Sequence, residues 1–210
     1  MIIGISGGMG SGKSTLARLF EKRGAILVDA DQIGHEVIER PQIRRELKAA
    51  FGDEIEGADG SLNRRELGRR AFADEANRER LNRIVHPPLE VELWKQIDRA
   101  AGPDGNNIVV VDAALIFEWG KLDRFDAIVV VFAEEQVQIE RVAQRQHLSW
   151  SEIQKRLAAQ MPVVEKVKQA DFVVENNGSV RELQKKAAEL WGELVVGNVS
   201  PQGDAPRKKL

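Results

Sequence analysis

Gly7, Gly12, Lys13 and Ser14 stand at the spacing G-x-x-x-x-G-K-[ST] inside the segment GGMGSGKST, residues 7–15. The chemistry of that spacing is the capture of a polyphosphate. Glycine at 7, 8, 10 and 12 removes Cβ atoms, so the backbone can curl with its N–H groups turned onto phosphate oxygens. Lys13 carries a positive charge to the outer phosphates, and the Ser14 hydroxyl is a hard oxygen ligand for Mg²⁺. Gly7, Gly8, Gly10, Ser11, Gly12, Lys13, Ser14 and Thr15 are therefore the candidate nucleotide-binding residues. The alternative is a plain glycine-rich turn, but Lys-Ser at the end of the motif argues against it.

Carboxylates supply the second half of such chemistry. The segment AILVD, residues 25–29, runs into Asp29-Ala30-Asp31. Phosphoryl transfer to an alcohol needs a group that orients the hydroxyl and takes its proton. Asp29 and Asp31 would point the same way if the chain stayed extended. Asp31 equally suits the cap of a helix that starts at Gln32. Asp112 closes the strand NIVVVDA, where it can either hold Mg²⁺ through water or cap the turn.

The motif needs a strand before it and a helix after it. IIGIS, residues 2–6, is an apolar run that stops at glycines, and KSTLARLFEKR, residues 13–23, places Leu16, Leu19 and Phe20 at helical spacing before Gly24. The N–H groups and dipole of that helix favour an anion. Further strands are expected at 25–29, 107–113, 126–132 and 171–176, with helices at 134–146, 149–160 and 179–195. Residues 32–101 read as a helical lobe broken at Pro41, at the GADG turn (57–60) and at Pro87-Pro88. Apolar strands alternating with amphipathic helices predict a three-layer α/β/α domain over residues 1–196, with a five-stranded parallel sheet. Ligands of such sheets sit beyond the C-terminal strand ends. The polar tail 197–210 is expected to be disordered.

Lys13 and the loop specify a nucleoside triphosphate and leave the reaction open. Asp31-Gln32-Ile33-Gly34 spells D-x-x-G, a GTPase element, but it lies only about 17 residues past Ser14, and no N-K-x-D segment occurs. The remaining readings are a small-molecule kinase, a non-catalytic nucleotide-binding regulator, and an ATPase module that works on a protein partner.

ISGGMGSGKST, VDADQIGHEV, His86-Pro87, DAALIFE, Arg141 with Arg145, and ADFVVENNG together resemble the dephospho-coenzyme A kinase family, in order and approximate spacing, over residues 1 to about 190. The resemblance implies ATP and Mg²⁺ as cofactors and the ribose 3′-hydroxyl of dephospho-CoA as acceptor. It implies that Asp31 is the catalytic base, that His86 lies in the dephospho-CoA site and that residues 32–101 form the CoA-binding lobe. Arg141 and Arg145 would belong to a lid over ATP within about 134–168, with Arg141 among the catalytic residues because paired guanidiniums suit the spread charge of a moving phosphoryl group. Lys166 is a less specific candidate beside them, and Asn177 would lie near the adenine. Leu115, in the strand exit, joins the candidate substrate contacts. Ala114 departs from the family, which usually has proline there.

Several of these residues have a plainer alternative. His86 before two prolines reads as a histidine at a helix start, placed either to bind an anion or to cap and pack. Arg141 and Arg145 share one helical face, which is also consistent with a solvated surface. Arg65 either meets a substrate phosphate or belongs to an exposed Arg64-Arg65 pair. His35 and His147 read as surface residues.

Composition bounds the rest. Lys and Arg number 31 against 33 Asp and Glu, a formal net charge of −2, so nothing at the level of the whole chain calls for nucleic acid. There is no cysteine, which removes disulfides, thiolate metal sites and a cysteine nucleophile. No apolar run suggests a membrane span or a secretory leader, so the expected location is the cytoplasm.

Overall fold

The computed structural model describes residues 1–145, 150–158, 160–196 and 208–209. His147 and most of the expected disordered tail lie outside the described residues. The chain divides into two compact units, Met1–Asp29 with Ile97–Leu210, and Ala30–Gln96.

The first unit is built on a parallel sheet. Its strands are β1 (Ile2–Gly7), β2 (Ile26–Asp29), β3 (Val109–Asp112), β4 (Ala127–Phe132), β5 (Phe172–Glu175) and a two-residue β6 (Lys208–Lys209). They lie in the order β2-β3-β1-β4-β5-β6, and every pairing is parallel. The five expected strands are all present, and Lys208–Lys209 extends the β5 edge. VVVD of β3 is buried throughout, the pattern of a strand covered on both faces. Ile26 at the β2 edge is exposed.

Helices α1 (Lys13–Glu21) and α9 (Val180–Val196) join one core with the sheet, formed by Ile3, Ile5, Leu16, Phe20, Val110, Val129, Val131, Val174, Leu183 and Leu190 among others. The Phe20 and Trp191 rings meet there at a centroid distance of 5.2 Å. Helices α6 (Glu135–Arg145) and α7 (Trp150–Ala158) share a smaller cluster of Ile139, Val142 and Ile153, against which Met9 of the glycine loop packs. Helix α8 (Val163–Gln169) was not expected. Two turns starting at Pro162 are too short to show a period.

The second unit carries α2 (Ala30–Ile38), α3 (Pro41–Phe51), α4 (Arg64–Ala71) and most of α5 (Glu75–Ala101). Pro41 opens α3, as its fixed φ and missing N–H favour. The GADG segment turns between Glu56 and Leu62, which form an antiparallel bridge. Ile33, Val37, Ile43, Leu47, Phe51, Ile55 and Leu67 are buried. On the surface, Glu56 binds both Arg44 (3.0 Å) and Lys48 (2.6 Å), and Glu66 binds Arg69 and Arg70, each at 2.6 Å.

Two expectations fail in this unit. The break at Pro87-Pro88 does not occur, and α5 runs through both prolines. Two donors are lost there, yet Leu89, Leu93, Trp94 and Ile97 are buried just beyond, and burial of that stripe outweighs the local penalty. His86 therefore lies inside a helix, and no helix N-terminus is available beside it to bind an anion. The chain also does not stay extended past Asp29: α2 begins at Ala30, which places Asp31 in its first turn. Asp31 is thus not the cap of a helix starting at Gln32, and the strand alternation linking it to Asp29 is lost.

Candidate active site

Helix α1 begins where the glycine loop ends. Gly12 is its N-cap with φ 100°, and no side chain caps it or places an acid in its first turn. The first N–H groups of a helix lack intrahelical partners, so this end is open to an anion. Gly10 (φ 78°) and Gly12 both occupy the left-handed region, where a side chain is strained. Space is short as well. A Cβ on Gly10 would lie 2.6 Å from the Gln138 carbonyl oxygen, one on Gly8 would lie 2.5 Å from Gln138 Oε1, and one on Gly12 would collide with the Asn176 amide. The loop is thus held against α6 on one side and the β5 exit on the other.

Inside the loop, the Ser11 N–H donates to the Gly8 carbonyl at 3.1 Å. The Asn176 side chain donates to the Ser11 carbonyl at 2.7 Å, a buried contact. Ser11 is fully buried, and its Oγ has no hydrogen-bond partner among the described residues. Ser14 and Thr15 are half-buried in the first turn of α1.

Lys13 Nζ lies 2.7 Å from Asp112 Oδ1, and both residues are buried. Asp112 ends β3 and pairs in register with Asp29 at the end of β2. Partners in parallel register share a face of the sheet, so two carboxylates stand side by side at the C-terminal strand edge. The Ser14 hydroxyl together with these carboxylates is a hard oxygen donor set that fits Mg²⁺, which keeps several waters and takes few protein ligands. No cluster of three His, Cys, Asp or Glu side chains occurs among the described residues, so a fully protein-built metal cage is not what this set offers.

Beyond β3 the chain makes a turn in which Leu115 is half-buried and its carbonyl accepts the Trp119 N–H at 3.2 Å. The Ala114 carbonyl accepts from Ser6 Oγ at 3.1 Å and from Lys166 Nζ at 2.7 Å. Lys166 is 1% exposed. Burial holds its ammonium below the ordinary lysine range; Glu118, at 3.6 Å, opposes that shift, and the nearby Lys13 charge adds to it.

Arg141 faces the β5 exit. Its guanidinium donates to the carbonyls of Asn176 and Gly178, both at 2.8 Å. Asn177 accepts from the Glu134 N–H at 2.8 Å and donates to Glu175 Oε1 at 3.1 Å, so it ties that exit to the start of α6. Arg145 is the last residue of α6.

The remaining candidates belong to the second unit. Asp31 is exposed in the first turn of α2, Arg65 is exposed at the start of α4, and His86 is half-buried in α5. Arg64 pairs with Glu39 at 2.9 Å, while Arg65 has no ion-pair partner among the described residues.

The structure thus brings Lys13, Ser14, Asp112 and the loop together, and it adds three residues that the sequence did not single out or only touched on: Asn176, Gln138 and Lys166. The Asn-Asn-Gly run after β5 was the available signal for Asn176. Gln138 gave none that distinguishes it from a solvated helix face, and Lys166, a weaker candidate by sequence, gave no sign of its burial.

The dephospho-CoA kinase family model matches residues 1–182. A dephospho-CoA kinase of Geobacter sulfurreducens is 41% identical over 197 residues, covering 91% of this chain and 98% of the Geobacter protein. Among solved structures, TT1252 from Thermus thermophilus superposes with a TM-score of 0.74 at 34% identity, over 93% of this chain and 98% of that one. The dephospho-CoA kinase from Campylobacter jejuni gives 0.69 at 23% identity, over 94% and 98%, a likeness of fold. With the loop, the Lys13–Asp112 pair and the parallel sheet already in place, these matches close the assignment: the chain belongs to the dephospho-CoA kinase family.

Proposed function

We propose that the chain carries out the reaction of its family, ATP-dependent phosphorylation of dephospho-CoA, by in-line transfer to the ribose 3′-hydroxyl at the site around Lys13. The observation that carries this reading is the buried Lys13–Asp112 pair beside an uncapped helix N-terminus. The 3′-oxygen forms a bond to the γ-phosphorus while the bond from that phosphorus to the bridging oxygen of ADP breaks. The hydroxyl proton passes to the Asp31 carboxylate, and ADP leaves with the bridging oxygen.

The loop amides from Gly8 to Thr15 and the Lys13 ammonium hold the triphosphate. Lys13 follows the charge from the γ-phosphate to the β-phosphate as the bond breaks. Ser14 and Asp112 would hold Mg²⁺, which when bound neutralises phosphate charge. Asn177 and the carbonyls anchored by Arg141 form the adenine side. Arg141 and Arg145 serve the lid over ATP, which spans about 134–168. In the second unit, Asp31, Arg65 and His86 are assigned to the acceptor by residue type and motif position, and Leu115 supplies an apolar contact. Closure over both substrates would exclude water and limit ATP hydrolysis.

No helix among the described residues is long and apolar enough to cross a membrane, and a cytoplasmic location suits an enzyme with two small soluble substrates. The test is incubation with ATP, Mg²⁺ and dephospho-CoA, followed by mass measurement of the nucleotides. Coenzyme A and ADP in equal amounts are expected. ADP without a phosphorylated acceptor would refute the reading.

A further inference from the structure

Lys166 is buried at the edge where the phosphate loop begins. Its Nζ donates to the Ala114 carbonyl at 2.7 Å and stands 5.9 Å over the Phe117 ring centroid. That carbonyl also accepts from Ser6, the residue before Gly7, and Ala114 lies two residues past Asp112. The ammonium therefore sits at the C-terminal ends of β1 and β3, on the approach to the γ end of a triphosphate seated on α1. Lys13 is near enough for its charge to be felt at Lys166.

Two buried ammonium groups at one strand edge repel each other, and each loses hydration. Asp112 compensates Lys13, while Glu118 faces Lys166 at the longer distance of 3.6 Å. Packing alone does not call for this arrangement. A methionine would fill the space between Phe117 and the β3 exit without the desolvation cost. The arrangement becomes favourable when a polyphosphate, carrying several negative charges, enters the loop.

We propose that Lys166 is a second cation of the transfer site, binding the γ-phosphoryl oxygens as the group moves from ADP to the acceptor. Lys166 keeps its proton and forms no covalent bond; it acts as a fixed charge where the transition state spreads its own. The proposal rests on the reading of the loop as the ATP site.

The test compares wild type, Lys166→Met and Lys166→Arg in the full chain. It measures melting temperature, ADP affinity, turnover, and affinity for ADP with aluminium fluoride, Mg²⁺ and dephospho-CoA as a mimic of the transferring phosphoryl. Lys166→Met should hold ADP within about threefold yet lose about 100-fold in turnover and in affinity for the mimic, the usual size for one donor to a transition-state oxyanion. Lys166→Arg should recover at least tenfold of both. Equal losses for ADP and for the mimic, or turnover within threefold of wild type, would overturn the proposal. If Lys166→Met does not fold, Lys166→Gln, which keeps a donor for Ala114 without the charge, takes its place under the same criteria. Failure of wild type itself to bind ADP would refute the loop reading instead.

Discussion

Lys13 and Asp112 form a buried ion pair across the mouth of the phosphate loop, with Nζ 2.7 Å from Oδ1. The pair joins the first helix to the end of the third strand and holds the lysine in place before any nucleotide arrives. Removing one partner strands the other charge in the protein, which typically costs about 3–5 kcal/mol. Lys13→Met should therefore lose both stability and turnover. Adding Asp112→Asn should return most of the stability, because the stranded carboxylate is gone, and none of the turnover. Denaturant unfolding and product formation on the single and double variants check this. Recovery of activity in the double variant would remove Lys13 from the mechanism.

Asp31 follows Asp29 by two residues but belongs to the first turn of α2. As the base on the acceptor hydroxyl it should matter only once both substrates are bound. Asp31→Asn is expected to lower turnover by about 10²–10⁴-fold and leave ATP affinity unchanged. Steady-state kinetics with an independent ATP titration separates the two. Turnover close to wild type would leave Asp31 as a first-turn acid interacting with the helix dipole, worth about 0.3–1 kcal/mol.

The glycine loop, β1 and α1 were legible because motif, strand and helix are contiguous, and each local signal agrees with the next. Asp112 was legible for the same reason, as the acid ending a β-branched run. Pro87-Pro88 misled because the local rule is real, while the burial that overrides it comes from residues later in α5. Asn176 and Asn177 are adjacent, and which one reaches the loop depends on where β5 stops; Glu175 is its last residue, a detail that composition does not set. Lys166, in EKVKQ, was only a weaker candidate beside Arg141 and Arg145, and nothing local marks it as buried. It is buried, and its ammonium donates to the carbonyl of Ala114, 52 residues away in sequence.

Asn176 fastens the β5 exit to the loop through the Ser11 carbonyl. Asn176→Ala would leave that buried carbonyl without its donor, at a cost of about 1–3 kcal/mol. The loop should loosen, so KM for ATP should rise about tenfold while KM for dephospho-CoA changes little. Gly12→Ala should be worse and should not be rescued by Asn176→Ala. Removing the amide clears the clash, but φ 100° remains unfavourable for alanine. Thermal melts and ATP titrations of the two singles and the double decide this. Rescue in the double would mean that space, and not backbone conformation, selects glycine at 12.

The lowered pKa of Lys166 makes a claim about stability that is independent of catalysis. The ordinary value is 10.5, and burial is the main cause of the drop. In the window between the folded and unfolded values the unfolded chain binds more protons, so stability rises with pH there. Below the folded value the full penalty of a buried ammonium applies; above 10.5 both states are neutral and the penalty vanishes. Lys166→Met has no such group. The difference in stability between wild type and Lys166→Met should therefore shift in favour of wild type as pH rises toward 10.5. Lysines remote from Lys166 titrate in both proteins alike and cancel in the comparison; Lys13, whose charge is felt at Lys166, does not, and Lys13→Met in both backgrounds removes its contribution. Denaturant midpoints of the two, measured in parallel from neutral to alkaline pH, should diverge in that direction. A constant difference would mean that the ammonium is hydrated in solution and that the contact with Ala114 is not maintained.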